Sequence, residues 1–285
     1  MSKVSVQIYC DGGEGVGYGH LFRSKALKNL LLSEGITSSL YGLTKEVNEL
    51  IGKDKFENKN AGVVIFDSHR NIDSRLVNLK KQNKKVVTLD WFGKEKPHFN
   101  IVVHPHQKPK ALIKSFIGYK YVIIRDQIIN QKKIKRKKNQ ATICIGGGDL
   151  LGQSKLAANY LSKKGLNVIL VYGSSPNRFL KSEKHRVLFN PSNFTNLLAS
   201  SYLVVTNGGG CMFESIYLKT PAFVLPQTLF EKRVARVAKK NNAILGMGIS
   251  NLKNFKTETN SNNFNFEFID GLGGMRIVEI IKNIL

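Results

Sequence analysis

Short apolar runs alternate with segments of helical periodicity along most of the chain. Near the beginning, Val4, Val6 and Ile8 recur at every second position, as in a strand with one buried face. The leucines from Leu21 to Leu32 recur at helical spacing. Further strand-like runs lie at residues 37–41, 63–67, 86–90, 101–103, 141–145, 167–172, 202–205 and 222–225, and helical patterns lie at 44–52, 71–81, 154–164, 194–200 and 275–285. This alternation predicts parallel sheets in an α/β fold.

The alternation starts afresh halfway along the chain, after a polar and basic segment at residues 131–139. Such a segment is typical of a solvated linker. We therefore predict two Rossmann-like doubly wound domains, residues 1–135 and 140–285, which face each other across a cleft. Residues 119–125 are predicted to form the last strand of the first domain. A chain of 285 residues is long enough for two such cores.

The turn between the first strand and the first helix is rich in glycine. Residues 11–23 read Asp-Gly-Gly-Glu-Gly-Val-Gly-Tyr-Gly-His-Leu-Phe-Arg. Glycine accepts positive φ angles and lets the backbone approach a ligand closely, and a helix N-terminus favours an anion. His20 and Arg23 lie three positions apart, so both face one side of the helix start. We expect His20 to exchange protons and Arg23 to hold an anion; an ordinary surface histidine is the alternative.

Aspartates follow three of the predicted strands of the first half. Asp11, Asp67 and Asp90 each come at the end of an apolar run. Because the carboxyl ends of parallel strands meet at one edge of a sheet, these acids are expected together at the ligand edge. Each alone is also typical of a helix N-cap or a turn. Since Asp11 begins the loop that leads to His20, we predict that Asp11 orients the imidazole.

Two further glycine turns follow strands of the second half. Residues 146–149 read Gly-Gly-Gly-Asp and precede a helix. Residues 207–210 read Asn-Gly-Gly-Gly and lead into a helix that carries Glu214. The two halves therefore repeat one pattern of strand, glycine turn and helix, which predicts a ligand-binding edge in each domain.

Composition narrows the class of protein. Apolar residues make up 42% of the chain, which favours a globular protein. No run approaches the ~20 apolar residues of a membrane span, and residues 1–9 lack the apolar core of a signal peptide, so we expect a cytoplasmic location. Cys10, Cys144 and Cys211 are odd in number and lie in or beside apolar runs. Their placement favours reduced thiols over disulfides or metal ligands.

The formal net charge of +24 raises the question of nucleic-acid binding. The lysines are dispersed, and the dense groups at residues 80–85 and 132–138 are not interleaved with aromatic residues. We expect no nucleic-acid partner; attraction to anionic phosphates or to an inner membrane surface is the simpler inference. His104 and His106 flank a proline without a third ligand at matching spacing, so no metal is expected, and no cofactor is predicted.

The turn at residues 207–210 and the helix after it resemble a known nucleotide-sugar site. Gly-Gly-Gly-Cys-Met-Phe-Glu-Ser followed by Leu-Lys-Thr-Pro-Ala is similar to the site of GT-B glycosyltransferases of the MurG type. The resemblance implies that the turn meets a diphosphate and that Glu214 binds the ribose hydroxyls. A helix N-terminus and a carboxylate suit those two groups chemically. An ordinary glycine turn before a helical glutamate is the alternative.

The chain also resembles a narrower family, the UDP-2,4-diacetamido-2,4,6-trideoxy-β-L-altropyranose hydrolases of the PseG type. The matching segments are Asp11, Gly-Tyr-Gly-His-Leu-Phe-Arg at residues 17–23, Tyr-Lys-Tyr-Val-Ile-Ile-Arg at 119–125 and Gly-Gly-Gly-Asp at 146–149. The resemblance covers nearly the whole chain, in order. It implies a monomeric, metal-independent GT-B hydrolase of pseudaminic acid synthesis that releases UDP from a UDP-sugar, with His20 as the base for water.

The resemblance also implies which positions bind the substrate. They are Gly17, Gly19, Arg23, Asp67, His69, Asp90, Arg125, Gly146, Gly147, Asn207, Gly208, Gly209, Gly210, Glu214, Phe230 and Glu231.

The chain departs from this family at positions that face the sugar in the family. Residues 67–69 are Asp-Ser-His where the family has Asp-His-Tyr, residues 89–91 are Leu-Asp-Trp where it has Leu-Asp-Asp, and residues 230–231 are Phe-Glu where it has Asn-Gln. The nucleotide half of the site is thus retained and the sugar half is altered. Two alternatives stay open: a GT-B glycosyltransferase that uses a UDP-sugar donor, and a non-catalytic nucleotide-sugar-binding homologue.

Overall fold

The chain, described by a computed structural model, divides into two compact units. The structure describes residues 5–13, 16–52, 61–103, 114–146, 149–173, 184–256 and 264–285. The first unit comprises Met1–Arg125 together with Gly271–Leu285, and the second unit comprises Asp126–Asp270. Each unit contains a six-stranded parallel sheet, so the predicted α/β class is confirmed.

In the first unit, strands and helices alternate through the first four strands, as the hydrophobic pattern predicts, and two further strands follow. The elements are β1 (Ser5–Cys10), α1 (Gly19–Ser33), β2 (Thr37–Gly42), α2 (Lys45–Ile51), β3 (Val63–Asp67), α3 (Asp73–Lys81), β4 (Lys85–Leu89), β5 (Phe99–Val102) and β6 (Ser115–Ile117). The sheet order is β2-β1-β3-β4-β5-β6, with every pair parallel. The order reverses at β1, whose neighbours are β2 and β3. Open α/β sheets bind ligands beyond the carboxyl ends of strands at such a switch point.

The core of the first unit is organised around β3, whose residues 63–66 are apolar. All five residues of β3 are buried, as expected for a central strand of a parallel sheet. Phe66 packs with Ile72, Leu76 and Trp91 in one cluster. The helix α2 starts where Thr44 accepts a hydrogen bond from the Val47 amide at 3.3 Å, which satisfies one of the unpaired donors of a helix start.

Residues 119–125 do not form the predicted last strand. The edge strand β6 lies earlier, and Gly118, at φ 128°, turns the chain away from the sheet after it. Tyr119–Tyr121 then forms a single 3₁₀ turn. The apolar residues of this segment are largely buried, which is why the sequence pattern alone resembled that of a strand.

The second unit repeats the alternation with a different strand order. Its elements are α4 (Asp126–Ile129), β7 (Gln140–Cys144), α5 (Gln153–Lys163), β8 (Asn167–Tyr172), β9 (Arg186–Phe189), α6 (Phe194–Ser200), β10 (Leu203–Thr206), α7 (Gly210–Tyr217), β11 (Ala222–Val224), α8 (Leu229–Lys240), β12 (Gly246–Met247) and α9 (Ile249–Lys253). The sheet order is β12-β11-β10-β7-β8-β9. This is the strand order of dinucleotide-binding Rossmann domains, and its switch point lies between β7 and β10.

The C-terminal helix α10 (Gly273–Lys282) belongs to the first unit, not to the predicted second domain of residues 140–285. A Cβ atom on Gly274 would lie 2.4 Å from Cδ1 of Leu30, so the missing side chain lets α10 approach α1 closely. Lys282 Nζ donates to Glu34 at 2.7 Å at the other end of the contact. An amphipathic helix can pack on either sheet. The sequence pattern therefore could not predict to which of the two units α10 belongs.

The boundary between the units also differs from the predicted one. It falls between Arg125 and Asp126, before the basic segment at residues 131–139. Lys137 donates its amide to the Ser200 carbonyl at 2.9 Å, and the Arg136 guanidinium donates to the Lys219 carbonyl. The predicted linker is therefore packed onto the second unit.

Candidate active site

Three carboxylates lie together at the ligand edge of the first sheet, as predicted. Cys10 pairs in register with Asp67, and Asp67 pairs with Leu89. Asp11 and Asp90 follow β1 and β4 directly, so the three acids end three neighbouring strands. Each carboxylate residue is at most 1% exposed. Three buried negative charges require partners, and cationic side chains at the same edge supply them.

Asp67 is the centre of this cluster. Its Oδ1 lies 2.6 Å from His20 Nδ1, and its Oδ2 accepts from Arg23 Nε at 2.7 Å and from Ser24 Oγ at 2.9 Å. Arg23 Nη2 also donates to Oδ1. The three partners come from the first two turns of α1, where residues i, i+3 and i+4 share one face. The start of α1 is thereby fixed to the end of β3.

Arg23 links Asp67 to the next strand end. Its Nη1 donates to Asp90 Oδ2 at 3.2 Å, and only 20% of its side chain is exposed. Burial alone disfavours the charge of Arg23, but the two carboxylates raise its pKa above the ordinary value. Burial likewise raises the pKa of Asp67, yet Arg23 and His20 more than offset this and hold it well below its usual range. Asp67 and Arg23 are therefore a charged pair at neutral pH.

The environment of His20 assigns its tautomer. Nδ1 lies between a carboxylate, which only accepts, and Arg23 Nη2 at 3.2 Å, which only donates. We assign the proton to Nδ1, because the 2.6 Å contact with Asp67 is then a hydrogen bond. Nε2 consequently carries the lone pair. An imidazole held by a carboxylate on one nitrogen and basic on the other is the arrangement of a general base.

A second imidazole stands against the first. The rings of His20 and His69 meet edge to face, with their centroids 4.9 Å apart. Loss of hydration lowers the pKa of His69 to about 4; the charge of Arg23, and that of His20 whenever its ring is protonated, act in the same direction, while Asp90 and Asp67 act in the opposite direction. His69 is an exposed residue, and solvent screens part of this shift. His69 is therefore neutral at pH 7.

A cavity of about 290 Å³ adjoins the charged cluster in the first unit. It is lined by His69, Asn71, Asp73, Asp90, Trp91, Phe92, Gly93 and Lys94. Trp91 is fixed, because its indole Nε1 donates to the Glu95 carbonyl at 3.0 Å and its backbone bonds twice to the Asn100 side chain. A Cβ on Gly93 would lie 1.9 Å from the indole ring. The wall of the cavity thus combines an aromatic surface with polar and charged groups.

Asp11 does not orient His20, contrary to the prediction. Its carboxylate accepts from Ser68 Oγ, from Arg70 Nε and from the Gly12 amide, at 2.8 to 2.9 Å. Asp11 therefore fixes the loop after β3 against the loop after β1. The reason lies in the sheet: β3 separates β1 from β4 and presents Asp67 to the start of α1.

Gly17, Gly19 and Arg125 are the remaining residues of the first unit that were predicted to bind the substrate. Gly17 has a φ of 76° and exchanges backbone hydrogen bonds with Gly13, so a left-handed residue is needed there. Gly19 is the first residue of α1 and has open space where a side chain would lie. The Arg125 guanidinium lies over the Phe22 ring, 5.5 Å from its centroid. Arg125 thus contacts the exposed side of α1.

The switch point of the second sheet brings Asn207 and Glu231 together. Asn207 Nδ2 donates to Glu231 Oε1 at 2.6 Å, and the Gln227 amide donates to Oε2 at 2.7 Å. Gly146 lies beside the Asn207 side chain, since a Cβ there would be 3.6 Å from its amide. Burial raises the pKa of Glu231, and these hydrogen bonds oppose the shift. Gly147 lies outside the described residues.

The turn after β10 is shaped by Gly208 and Gly209. A Cβ on Gly208 would lie 2.6 Å from the Glu231 carbonyl oxygen, so only glycine fits against α8 there. Gly209 caps α7, and Gly210 is its first residue, with open space where a Cβ would lie. This leaves the first amide groups of α7 at the sheet edge, where a helix favours an anion.

Glu214 lies in the second turn of α7 and is only 6% exposed. Phe230 is the second residue of α8 and is half-buried. The helix α8 begins after Thr228, whose Oγ1 accepts from the Glu231 amide at 3.1 Å. Glu231 therefore serves both the helix start and Asn207, and it is a structural member of the turn.

Several residues of the first cluster have no individual signal in the sequence pattern. They are Ser24, Ser68, Arg70 and Asn100. Ser24 could have been found, because it lies four positions after His20 on the same helical face. The pairing of Arg70 with Asp11 could not have been found from the sequence, because it depends on which strands are neighbours in the sheet.

The sequence predicts neither a metal site nor a membrane span, and the described part of the chain can be searched for both. Among those residues, no group of three or more histidine, cysteine, aspartate or glutamate side chains could hold a metal ion. His104 and His106 lie outside them. Within the same described ranges, no helix is long and apolar enough to cross a membrane.

Solved structures with the same architecture include GT-B glycosyltransferases and UDP-GlcNAc 2-epimerases. A glycosyltransferase of kitacinnamycin superposes with a TM-score of 0.68 at 12% identity, covering 99% of both chains. MurG of Acinetobacter baumannii superposes with a TM-score of 0.63 at 12% identity, covering 98% of this chain and 99% of its own. Likeness at such identity shows the fold alone, and the predicted GT-B-like class is confirmed.

Sequence relatives carry more specific descriptions, although no family model matches the chain. An uncharacterised protein of Methanocaldococcus jannaschii is 26% identical over 281 residues, covering 80% of this chain and 57% of its own length. A Helicobacter pylori protein described as pseudaminic acid cytidylyltransferase and UDP-2,4-diacetamido-2,4,6-trideoxy-β-L-altropyranose hydrolase is 21% identical, covering 79% of this chain and 44% of its own. The Campylobacter jejuni protein described as that hydrolase is 25% identical, covering 73% and 86%.

The resemblance predicted from the motifs is therefore confirmed at low identity. The chain spans about half the length of the first two relatives. The activities in these descriptions are those of the relatives.

Proposed function

We propose that the protein hydrolyses a UDP-linked amino or deoxy sugar and releases UDP, with His20 as the general base. The observation that carries the proposal is the His20, Asp67 and Arg23 constellation at the switch point of the first sheet. Sequence relatives described as UDP-sugar hydrolases and solved GT-B structures support it. The pathway of such a sugar would be nonulosonic acid synthesis of the pseudaminic type or surface polysaccharide synthesis.

In this mechanism His20 Nε2 takes a proton from water while the water oxygen attacks the anomeric carbon. The bond from that carbon to the β-phosphate oxygen breaks, and UDP leaves with the electron pair. The Asp67 carboxylate, 2.6 Å from Nδ1, stabilises the imidazolium that forms. Proton transfer by a positioned base is typically worth ~10²–10⁴-fold in rate. UDP is already a good leaving group, so the reaction needs no stronger acid.

Arg23 pairs with Asp67 and Asp90 and holds the first turn of α1 in place. It thereby fixes the position of the base. The neutral His69, next to His20 and on the wall of the cavity, can accept a hydrogen bond from water or from a sugar hydroxyl. We assign the cavity beside Trp91 to the sugar.

We assign nucleotide recognition to the second unit. The first amides of α7 and the turn at residues 208–210 suit the diphosphate, and Glu214 suits the ribose hydroxyls. Charge growing on the β-phosphate oxygen would be stabilised by the same amides. The excess of positive charge on the whole protein favours the approach of such an anion.

The test of the chemistry is His20→Asn. Turnover of the correct UDP-sugar should fall by ~10²-fold or more, and UDP affinity should change little because the nucleotide site belongs to the second unit. The matched control is His185→Asn, which removes a histidine of the second unit that bonds to Asn159. A folded His20→Asn protein with the wild-type rate would refute the mechanism.

The test of nucleotide recognition is Glu214→Ala. UDP affinity measured by calorimetry should fall about tenfold or more, the scale of a lost pair of charge-assisted hydrogen bonds. Glu267→Ala is the control, because that side chain is 84% exposed in the same unit. Equal affinity of the two variants would remove the ribose role of Glu214.

A glycosyltransferase is the second candidate, favoured by the GT-B structures among the neighbours. The same base would deprotonate an acceptor hydroxyl instead of water. UDP release from a pool of donors, measured with and without acceptor, separates the two activities. UDP binding without release under either condition would indicate a non-catalytic homologue.

A further inference from the structure

Two of the three cysteines of the chain meet at the ligand edge of the second sheet. Sγ of Cys144 lies 3.4 Å from Sγ of Cys211. Cys144 is the last residue of β7 and is 5% exposed, whereas Cys211 is the second residue of α7 and is partly exposed. The two residues are 67 positions apart in sequence, so the strand order alone brings them together.

Their surroundings fix one thiol more firmly than the other. Cys144 pairs in register with Thr206 of the neighbouring strand, and Thr206 Oγ1 donates to the Cys144 carbonyl at 2.9 Å. Cys211 lies in the first turn of α7, directly after the glycine turn. A disulfide has an S–S distance of about 2.05 Å, so the sulfur atoms must approach by roughly 1.4 Å. Because Cys144 is held in the sheet, we infer that most of this movement falls on Cys211 at the start of α7.

We propose that Cys144 and Cys211 are a redox modification site that takes up one disulfide under oxidation by a low-molecular-weight disulfide. In the first step the thiolate of Cys211 attacks one sulfur of the small disulfide. This step forms a mixed disulfide and releases one small thiolate. In the second step the thiolate of Cys144 attacks Sγ of Cys211 and displaces the other small thiol. Two protein thiols are oxidised, one small disulfide is reduced, and the two protein protons pass to the leaving thiolates.

The exposures of the two sulfurs set this order. Cys211 is the partly exposed residue and is therefore assigned the reaction with the reagent, and the buried Cys144 resolves the intermediate. Cys10, in the first unit, is an internal contrast. Burial, then the charges of Asp67 and Asp11, raises the pKa of the Cys10 thiol to about 12. Cys10 should therefore stay reduced under the same conditions.

The disulfide would also change the glycine turn. Gly208 is packed so closely against the Glu231 backbone that a Cβ added to it would lie 2.6 Å from the carbonyl oxygen, which leaves the turn little room to move toward α8. Displacement of Cys211 therefore reorients the first amides of α7. We infer that oxidation weakens UDP binding, and this part rests on the proposed nucleotide site.

The experiment treats the reduced full chain with oxidised glutathione and follows it by intact mass and by peptide mapping. The expected product is lighter by two hydrogen atoms, contains a peptide that links Cys144 to Cys211, leaves Cys10 free, and reverts with dithiothreitol. Cys144→Ser should stop at one glutathione adduct on Cys211. Cys10→Ser should form the disulfide as the wild type does. Absence of the linked peptide in a folded protein would overturn the proposal.

Calorimetry with UDP on the reduced and oxidised forms tests the consequence. UDP affinity should fall at least about tenfold on oxidation and return on reduction. Equal affinity of the two forms would overturn the proposed effect of oxidation on UDP binding but would not contradict the disulfide itself. Absence of UDP binding by the reduced form would instead contradict the nucleotide site, whatever the mass measurement shows, so the two failures are distinguishable.

Discussion

Replacement of Asp67 by asparagine is the sharpest test of the charged cluster. Asp67 is fully buried and accepts from His20, from two nitrogens of Arg23 and from Ser24. The asparagine amide keeps one acceptor oxygen but places an NH₂ donor against Arg23 or Ser24. The Arg23 guanidinium then has Asp90 as its single remaining carboxylate partner in this cluster. Removal of one partner of a buried ion pair costs about 3–5 kcal/mol. We expect Asp67→Asn to destabilise the first unit by that amount.

The assay is urea unfolding followed by tryptophan fluorescence. Trp91 is the single tryptophan of the chain, lies in the first unit and is 3% exposed, so its signal reports unfolding of that unit. At a denaturant slope of roughly 2 kcal/mol per M, the urea midpoint should fall by about 1.5–2.5 M. The control is Glu49→Gln, which removes an exposed acid paired with Lys45 at 3.9 Å and should cost at most about 0.5 kcal/mol. A midpoint for Asp67→Asn no lower than that of the control would refute the reasoning.

The pH dependence of the same transition gives a second readout of Asp67. Its pKa in the folded protein is held below the ordinary aspartate value of about 3.9, so its carboxylate contributes stability above that pH. This contribution is lost as the pH falls, because the unfolded chain takes up the proton first. The wild type should therefore lose more stability than Asp67→Asn between about pH 5 and pH 3.

Three further outcomes are expected. His69 has a folded pKa of about 4 against about 6.5 unfolded, so the unfolded chain binds the proton first and stability falls from about pH 6.5 to pH 4. His69→Gln should make the urea midpoint depend less steeply on pH over this range. A pH dependence equal to that of the wild type would contradict the lowered pKa of His69. Gly208→Ala should lower the thermal midpoint of the second unit by the equivalent of about 1–3 kcal/mol, because its Cβ would meet the Glu231 backbone, while Gly210→Ala has open space and should cost at most about 0.5 kcal/mol. UDP-sugar turnover should survive EDTA, and loss of activity that Mg²⁺ or Mn²⁺ restores would count against a metal-independent mechanism.

The sequence by itself determined the α/β class and the edge at which the candidate site lies. Strands such as β3 are buried on both faces and therefore appear as continuous apolar runs, which a local pattern can identify. The glycine turn before α1 and the acids Asp11, Asp67 and Asp90 were likewise visible, because each acid ends or directly follows its strand in sequence. Helical spacing placed His20 and Arg23 on one face, and both contact Asp67.

Only the tertiary structure decided which of these groups are partners. The acid on His20 is Asp67 and not Asp11, because β3 lies next to both β1 and β4 in the sheet. The same kind of decision placed α10 on the first unit and brought Cys144 within 3.4 Å of Cys211. Strand order and close helix packing join residues that are far apart in sequence. Periodicity describes only the burial of each segment, so it does not specify the neighbour against which that segment is buried.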